Sequence, residues 1–411
     1  MKKVVVFNLG CKVNQYESDV LVKMFEDAGF RVCEKLGYAD YYVINTCAVT
    51  SEAERKSRQA IARVRKFNPE AKIFVCGCAS QNDRLQFLDK ENVVTVKGIA
   101  NKYALADLLE KGDDVEDLPC AFEDGNAKST RTRSYIKVQD GCNNFCSYCI
   151  IPYLRGRSRS RAADSVIKEI KSLQGVKEVV LTGIDLSSYG KDIGTDLKEL
   201  TEGLKDIDIR IRLGSLEVGA ITKPLLESLR NLKAFCPQFH LSLQTGDDSV
   251  LKSMNRHYTT EEYYSKICLI REYFENACIT TDIIAGFPTE TESNFENTLE
   301  FVNRVKFSDI HIFPYSERKG TAAYKKYKPI DKAVVSIREK KLSELRDKLK
   351  KEYEGRFIGK VSEVLFEETV KGYSVGYNRE YIRIYSTKNI PNNEIAEVKA
   401  VDFCFDGLKG E

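Results

Sequence analysis

Cys142, Cys146 and Cys149 stand in the string Cys142-Asn-Asn-Phe-Cys146-Ser-Tyr-Cys149, and this spacing restricts the chain more than any other feature. Whatever fold contains it must hold three thiolates on one short loop, facing a common point. Three such thiolates hold three irons of a [4Fe–4S] cube and leave the fourth iron open to a ligand. The bland alternatives are a zinc knuckle or scattered free thiols. Zinc asks for a fourth ligand, and none of the histidines, His240, His257 and His311, lies near the triplet in sequence. The spacing therefore favours a cluster that binds something and does chemistry on it.

The rest of the composition is that of an ordinary globular protein, with 42% hydrophobic and 30% charged residues over 411 positions, enough for two or three domains. No apolar run reaches the roughly 18 residues of a membrane span, so no membrane partner is expected. The opening Met-Lys-Lys-Val-Val-Val-Phe reads as a buried first strand rather than a secretion signal, because polar residues follow at once. Thirteen cysteines in such a chain point to the reducing cytoplasm and to metal rather than disulfides. Cys33, Cys76, Cys120, Cys236, Cys268, Cys278 and Cys404 read most simply as small buried hydrophobes.

The net charge of +3 is unevenly spread. Residues 128–161 hold eight Lys or Arg against the single acid Asp140. Residues 325–356 hold twelve against six. The first region, with Arg155, Arg157, Arg159 and Arg161 just beyond the cysteine loop, suggests contact with the phosphates of a polyanion. The second reads rather as a solvated helix face.

Three blocks follow from patterning. Residues 1–120 alternate short apolar strands (3–8, 41–45, 72–76) with helices (14–28, 51–67), which implies a doubly wound parallel sheet of the α/β class. Residues 121–130 are polar and read as a linker. Residues 131–354 hold six strand–helix units, starting at 135, 178, 209, 239, 279 and 309, and end in a charged helix. Six units fit an open, partial TIM barrel, (β/α)6, with its chemistry at the C-terminal strand ends. Residues 355–411 are β-rich and predict a small antiparallel β-barrel. Its Tyr373, Tyr377 and Tyr381 suit either base stacking or a core.

Cysteines recur just after the first-block strands, at Cys11, Cys47 and Cys78. Ligand sites of open α/β sheets lie beyond the carboxyl ends of the strands, so these distant cysteines are expected to converge. Three ordinary loop cysteines are the alternative. The barrel strands end in polar, glycine-containing strings: Thr182-Gly183, Glu217, Gln244, and Asp282 with Gly286-Phe287. Together they describe a pocket for a cofactor and a second substrate.

The strings GCKVNQYES, INTCAVT, CGCASQ, CNNFCSYCIIPYLRGRSRSR, LTGIDLSSYG, HLSLQTG, DIIAGFP and FPYSERKGTAA resemble those of the radical S-adenosylmethionine (SAM) methylthiotransferases over nearly the full chain. The resemblance implies a cluster-binding N-terminal domain, a central barrel and a C-terminal TRAM domain. It implies two [4Fe–4S] clusters, one auxiliary on Cys11, Cys47 and Cys78, the other binding SAM on Cys142, Cys146 and Cys149. Tyr148 matches the position placed against the adenine of SAM. One SAM is expected to methylate sulfur and another to furnish the radical that removes hydrogen, so no side chain is catalytic in itself.

Within that family the Lys12-Val13-Asn14-Gln15 and Arg-rich strings resemble the group acting on carbon 2 of N6-threonylcarbamoyladenosine at position 37 of tRNA. Relatives act on isopentenyladenosine of tRNA or on an aspartate of a ribosomal protein, and these stand as alternatives. From another class, an RNA-binding protein with structural zinc is the rival. The resemblance further implies tRNA as partner, a flavodoxin- or ferredoxin-type electron donor and a monomer.

Overall fold

The structure, a computed structural model, describes residues 1–100, 102–103, 118–119, 121–125, 127 and 132–411. Cys120, Lys128, Arg131 and much of the expected linker lie outside the described residues. Strands β1 (Lys3–Asn8), β2 (Arg31–Val32), β3 (Tyr41–Thr46), β4 (Lys72–Gly77) and β5 (Val93–Val96) form a parallel sheet in the order β2-β1-β3-β4-β5. β3 is buried along its whole length, which explains its unbroken apolar run. Helix Lys12–Asp27 turns Val13, Tyr16, Val20, Leu21 and Phe25 inward at helical spacing. Helix Ser51–Arg65 starts where the Thr50 hydroxyl accepts from the Ala53 N–H, with Glu52 and Glu54 in its first turn and Arg63 and Arg65 in its last.

The middle of the chain contributes β6 (Arg133–Lys137), β7 (Gln139–Asp140), β8 (Arg159–Ser160), β9 (Glu178–Thr182), β10 (Arg210–Leu213), β11 (Ser215–Leu216), β12 (Gln238–Leu241), β13 (Cys278–Ala285) and β14 (Asp309–Pro314). Two parallel runs, β10-β9-β6 and β11-β12-β13-β14, are joined by the chain itself at Gly214. The result is the open six-unit barrel expected from the sequence. One hydrophobic core fills its wall and extends to Tyr16 and Val20, so the first sheet's leading helix packs directly onto the barrel. Helix Lys332–Gly355 lies along the last strand, burying Val335, Leu342, Leu349 and Tyr353 and exposing most of its lysines. No helix of the described residues is long and apolar enough to cross a membrane.

Strands β15 (Val361–Val370), β16 (Tyr373–Tyr377), β17 (Arg383–Ser386), β18 (Ile395–Cys404) and β19 (Gly407–Gly410) close into a barrel in the order β15-β16-β17-β19-β18. It differs from a purely antiparallel barrel in one pairing: β17 and β19 run parallel. β19 carries one apolar residue, Leu408, and becomes a strand only because closure supplies it with neighbours on both sides. Tyr377 and Tyr381 stack on each other at 4.7 Å, and Arg133 lies over both rings at 5.4 and 5.2 Å. These two tyrosines thus dock the small barrel onto the central one. Tyr373 packs against Tyr385 and Phe405.

Candidate active site

Cys11, Cys47 and Cys78 follow β1, β3 and β4 directly, at the point where the strand order reverses between β1 and β3. That is the crevice where open α/β sheets bind ligands. Local framing is polar and tight. The Asn14 side chain donates to Asn45 Oδ1 (2.9 Å) and to the Thr46 carbonyl (3.1 Å), and its own oxygen accepts from Cys11 Sγ (3.3 Å). The Cys47 N–H donates to Ser57 Oγ at 3.1 Å. Gly77, at φ +105°, permits the turn into Cys78; a Cβ there would sit 2.6 Å from Asn45 Oδ1 and from the Thr46 carbonyl oxygen. Cys76 points to the opposite side, into the core with Val4, Leu21 and Phe74.

The second triplet occupies the loop after β7. Gly141 (φ +71°) opens it, and a Cβ there would lie 2.0 Å from the Arg157 carbonyl oxygen. Ser147 fastens the loop across the barrel mouth: its N–H donates to the Met254 carbonyl (2.9 Å) and its hydroxyl to the Ser253 carbonyl (2.8 Å). Asn255 donates to the carbonyls of Asn144 and Phe145, each at 3.1 Å. Arg256 Nη1 donates to Cys146 Sγ (3.2 Å) and pairs with Glu217 (2.7 Å). Nothing in sequence spacing singles out Arg256; only the fold brings it to the sulfur.

Arg155 joins the two sites. It ends the short helix Ile151–Arg155 that follows Cys149, and it is fully buried. Its Nε donates to Cys78 Sγ at 3.3 Å, while its other nitrogens reach Glu17 (3.1 Å), Asp140 (2.9 Å) and Asn14 (3.2 Å). Lys102 and Lys137 also pair with Glu17, at 2.6 and 3.2 Å. Burial alone would raise the Glu17 and Asp140 carboxyls, but the surrounding cations outweigh it and hold both well below the usual carboxylate range. Among the described residues, Lys102, Lys137, Arg155 and Arg159 gather around these two carboxylates, which places buried positive charge beside Cys78.

The cations beside Cys78 and the donors aimed at sulfur fit thiolate-bound clusters. A single tetrahedral zinc, with Zn–S near 2.3 Å, would gather its sulfurs to about 3.8 Å. Among the described residues neither cysteine triplet is gathered within 4.8 Å; only His240, Asp282 and His311 meet that distance. Burial pushes the Cys47, Cys142 and Cys149 thiols up to about 12, so loading a metal there releases protons.

The expected phosphate-binding arginines are mostly something else. Arg155, Arg159 and Arg161 are buried and turned toward carboxylates: Arg155 and Arg159 to Asp140, Arg161 to Glu169 and Asp124. The strand β8 and the helix before it fold these side chains inward, which a count of charges cannot reveal. Arg157 alone of the four is exposed, over the Phe145 ring at 4.8 Å.

Around the SAM-type triplet, Tyr148 packs edge-on against Phe287 (6.4 Å). Phe287 itself is fully buried among Tyr315 and Tyr327, so it backs Tyr148 rather than touching a ligand. Thr182, Gly183, Glu217, Gln244 and Gly286 lie on the carboxyl-end rim, with Gln244 (φ +75°) bridging to β13 through its backbone. Asp282 turns instead into the barrel lumen beside His240.

Comparisons place this geometry. The Radical SAM superfamily matches residues 136–302, and the uncharacterized protein family UPF0004 matches residues 3–98. The threonylcarbamoyladenosine tRNA methylthiotransferase MtaB of Bacillus subtilis is 36% identical over 93% of this chain and 90% of its own length. Its counterpart from Thermotoga maritima is 38% identical over 93% of this chain and 91% of that protein. A tRNA-2-methylthio-N(6)-dimethylallyladenosine synthase of Thermodesulfovibrio yellowstonii is 34% identical over 100% of this chain and 98% of that protein. Among solved structures, the radical SAM methyltransferase TsrM of Kitasatospora setae shares the fold, with a TM-score of 0.56, 16% identity and 76% and 75% of the two chains covered. A cysteine loop on an open barrel tied through Arg155 to a second set of cysteines, together with 34–38% identity to these proteins over 93–100% of the chain, places it in the radical SAM tRNA methylthiotransferase family.

Proposed function

We propose that this chain methylthiolates carbon 2 of N6-threonylcarbamoyladenosine at position 37 of tRNA. The observation that carries this reading is the junction itself: Arg155, at the end of the helix that follows Cys149, donates to Cys78 and so ties the second cysteine loop to the first triplet. Cys11, Cys47 and Cys78 would hold the auxiliary [4Fe–4S] cluster and Cys142, Cys146 and Cys149 the SAM-binding one. Bound there, the clusters and SAM supply the radical that removes the hydrogen of an unactivated C–H bond, and the sulfur and methyl group that replace it.

The chain's own residues bind, orient and shield. Tyr148, backed by Phe287, offers a ring to the adenine of SAM. Backbone groups at Thr182, Gly183, Gln244 and Gly286 line the place for its amino acid and adenine ends, and Glu217, held by Arg256, presents a carboxylate to its ribose or ammonium. Arg157 is the member of the arginine string left for a tRNA phosphate. We further infer a cytoplasmic, monomeric enzyme fed by a flavodoxin- or ferredoxin-type donor.

Threonylcarbamoyladenosine is favoured over dimethylallyladenosine by the relatives named for it, at 35–38% identity, although those named for the other base reach 34–36%. Mass analysis of tRNA nucleosides decides between them. Cells lacking the gene lose the 2-methylthio form of threonylcarbamoyladenosine and accumulate its precursor; loss of the dimethylallyl product instead would move the chain to the sister group.

A further inference from the structure

A cavity of about 370 Å³ lies inside the open barrel, between Lys12 and the docked tyrosine Tyr381. Lys12 is the residue after Cys11, and its side chain is open to this space. Four other cations line the cavity, Arg133, Arg212, Lys350 and Arg383, and each is spoken for, Lys350 by Asp309 (3.2 Å) and Arg383 by Asp406 (2.9 Å). Arg133 pairs with Glu178 (2.7 Å) and Glu367 (2.6 Å), Arg212 with Glu178 (2.8 Å), and both lie over the Tyr381 ring. Lys12 has no direct hydrogen-bond or ion-pair partner among the described residues; Arg212 and Arg133 act against its charge, and Cys11 and Asp282 favour it only from a distance. An unmatched cation beside two others is costly until an anion arrives.

Across the lumen stand His240, Asp282 and His311, on three adjacent strands. His240 Nδ1 is 3.0 Å from Thr280 Oγ1, and its Nε2 is 3.3 Å from Asp282 Oδ2. The ligand atoms of the three residues lie within 4.8 Å of one another. They form a compact set of donors and acceptors that neither cysteine loop uses. The cations lining the same space argue against reading that set as a metal site.

We propose that this lumen is the pocket for the N6 substituent of the substrate adenosine, with Lys12 as receptor for a carboxylate and the His240–Asp282–His311 group facing its hydroxyl and carbamoyl atoms. The inference rests on the threonylcarbamoyladenosine reading and names how this chain enforces it. A threonylcarbamoyl group has a carboxylate, a hydroxyl and a urea-like linkage, and the volume accommodates it. A dimethylallyl group is apolar and would displace water from Lys12 and the histidines without replacing its hydrogen bonds. Sites built to bind polar substituents reject analogues that lack them far more strongly than apolar pockets reject extra atoms. Lys12 also starts the helix one residue from an auxiliary-cluster cysteine, so holding the substituent there sets the base ring against that cluster.

The test uses reconstituted enzyme with three anticodon stem–loop RNAs. They carry threonylcarbamoyladenosine, the same base with its carboxylate converted to a primary amide, or dimethylallyladenosine. Wild type is expected to prefer the carboxylate over the amide by about 10- to 100-fold in kcat/KM, the worth of one charge-assisted hydrogen bond. Lys12→Gln should bring that ratio close to one, and Lys12→Arg should restore most of it. Iron content equal to wild type in each variant certifies the fold. If wild type shows the preference and Lys12→Gln keeps it, the inference falls while the threonylcarbamoyladenosine reading stands. If wild type modifies only the dimethylallyl RNA, that reading falls and takes the inference with it. Stoichiometric Zn²⁺ or Mn²⁺ retained by wild type and lost in His311→Ala would also overturn the inference, by making the histidine group a metal site.

Discussion

Arg155 is a full charge with no exposure to water, held by Glu17, Asp140, Asn14 and Cys78. Such a group is expensive to strand. Arg155→Met leaves two buried carboxylates short of a partner and is expected to cost about 3–5 kcal/mol, as breaking buried ion pairs does. Urea denaturation of the metal-free variant measures it, and a change under about 1 kcal/mol would mean the cluster of charges is far wetter than its burial indicates. The cysteines make a sharper pair of substitutions. Cys146→Ala is expected to abolish cleavage of SAM. Cys47→Ala is expected to keep that cleavage and lose sulfur transfer, read as 5′-deoxyadenosine formed without methylthiolated RNA. Sulfur delivery by the Cys47 variant would remove that residue from the auxiliary site. The cysteines were legible in sequence because thiols recurring after strands is a pattern of spacing; Arg256 and Lys12 were not, since their roles come from what faces them across the barrel mouth and lumen.

At the level of elements, the floor of the central barrel depends on one carboxylate. Glu178 on β9 pairs with Arg212 on β10 and Arg133 on β6, whose guanidiniums carry the stacked tyrosines of the C-terminal barrel. Burial would raise its pKa, yet Arg212 and Arg133 outweigh burial and hold it at about 2. Glu17 and Asp140 are depressed in the same way. A carboxylate with a lowered native pKa stabilises the fold above the unfolded value near 4.5 and loses that contribution as pH falls toward its native pKa. Thermal midpoints of the metal-free protein should therefore fall steeply between about pH 4.5 and 2, and decline more gently as pH rises toward 7, where burial has pushed Glu354 up to about 7. Glu178→Gln should blunt that fall and loosen the C-terminal barrel toward proteases. The strands and helices themselves were largely readable from their apolar periods. β19 was not, because its single leucine has no period, and neither were β2 and β8, two-residue strands that exist only through their partners.

The whole molecule works as a clamp. The N-terminal sheet grips the barrel on both sides of its opening: Arg155, after the first strand, reaches Cys78, and Arg318, after the last, pairs with Glu54 at 2.8 Å. Those two contacts fasten the N-terminal sheet to the barrel near its cysteine loops. Of the arginine string only Arg157 is exposed and free to meet a phosphate of the proposed tRNA substrate. Affinity for tRNA should fall steeply with salt, and Arg157→Glu should weaken binding and lower the magnitude of the salt slope by about one. Arg159→Glu, by contrast, should damage folding rather than binding alone, because Arg159 bonds the carbonyls of Arg155 and Arg157 from inside. An unchanged slope in the Arg157 variant would return that arginine to the solvated surface.

Sequence alone determined the order of the blocks, the α/β class and the two sets of three thiols. Each depends on local chemistry: an apolar period, a turn glycine, a cysteine after a strand. Tertiary structure alone decided which charges face water. Arg155, Arg159 and Arg161 read along the chain as one basic string with Arg157, and the fold buries them against Glu17, Asp140 and Glu169. It likewise left Lys12 without a direct partner among the described residues, facing a polar lumen. Charge is a property of a residue, whereas the cost or use of that charge depends on what the fold brings within a few ångströms of it.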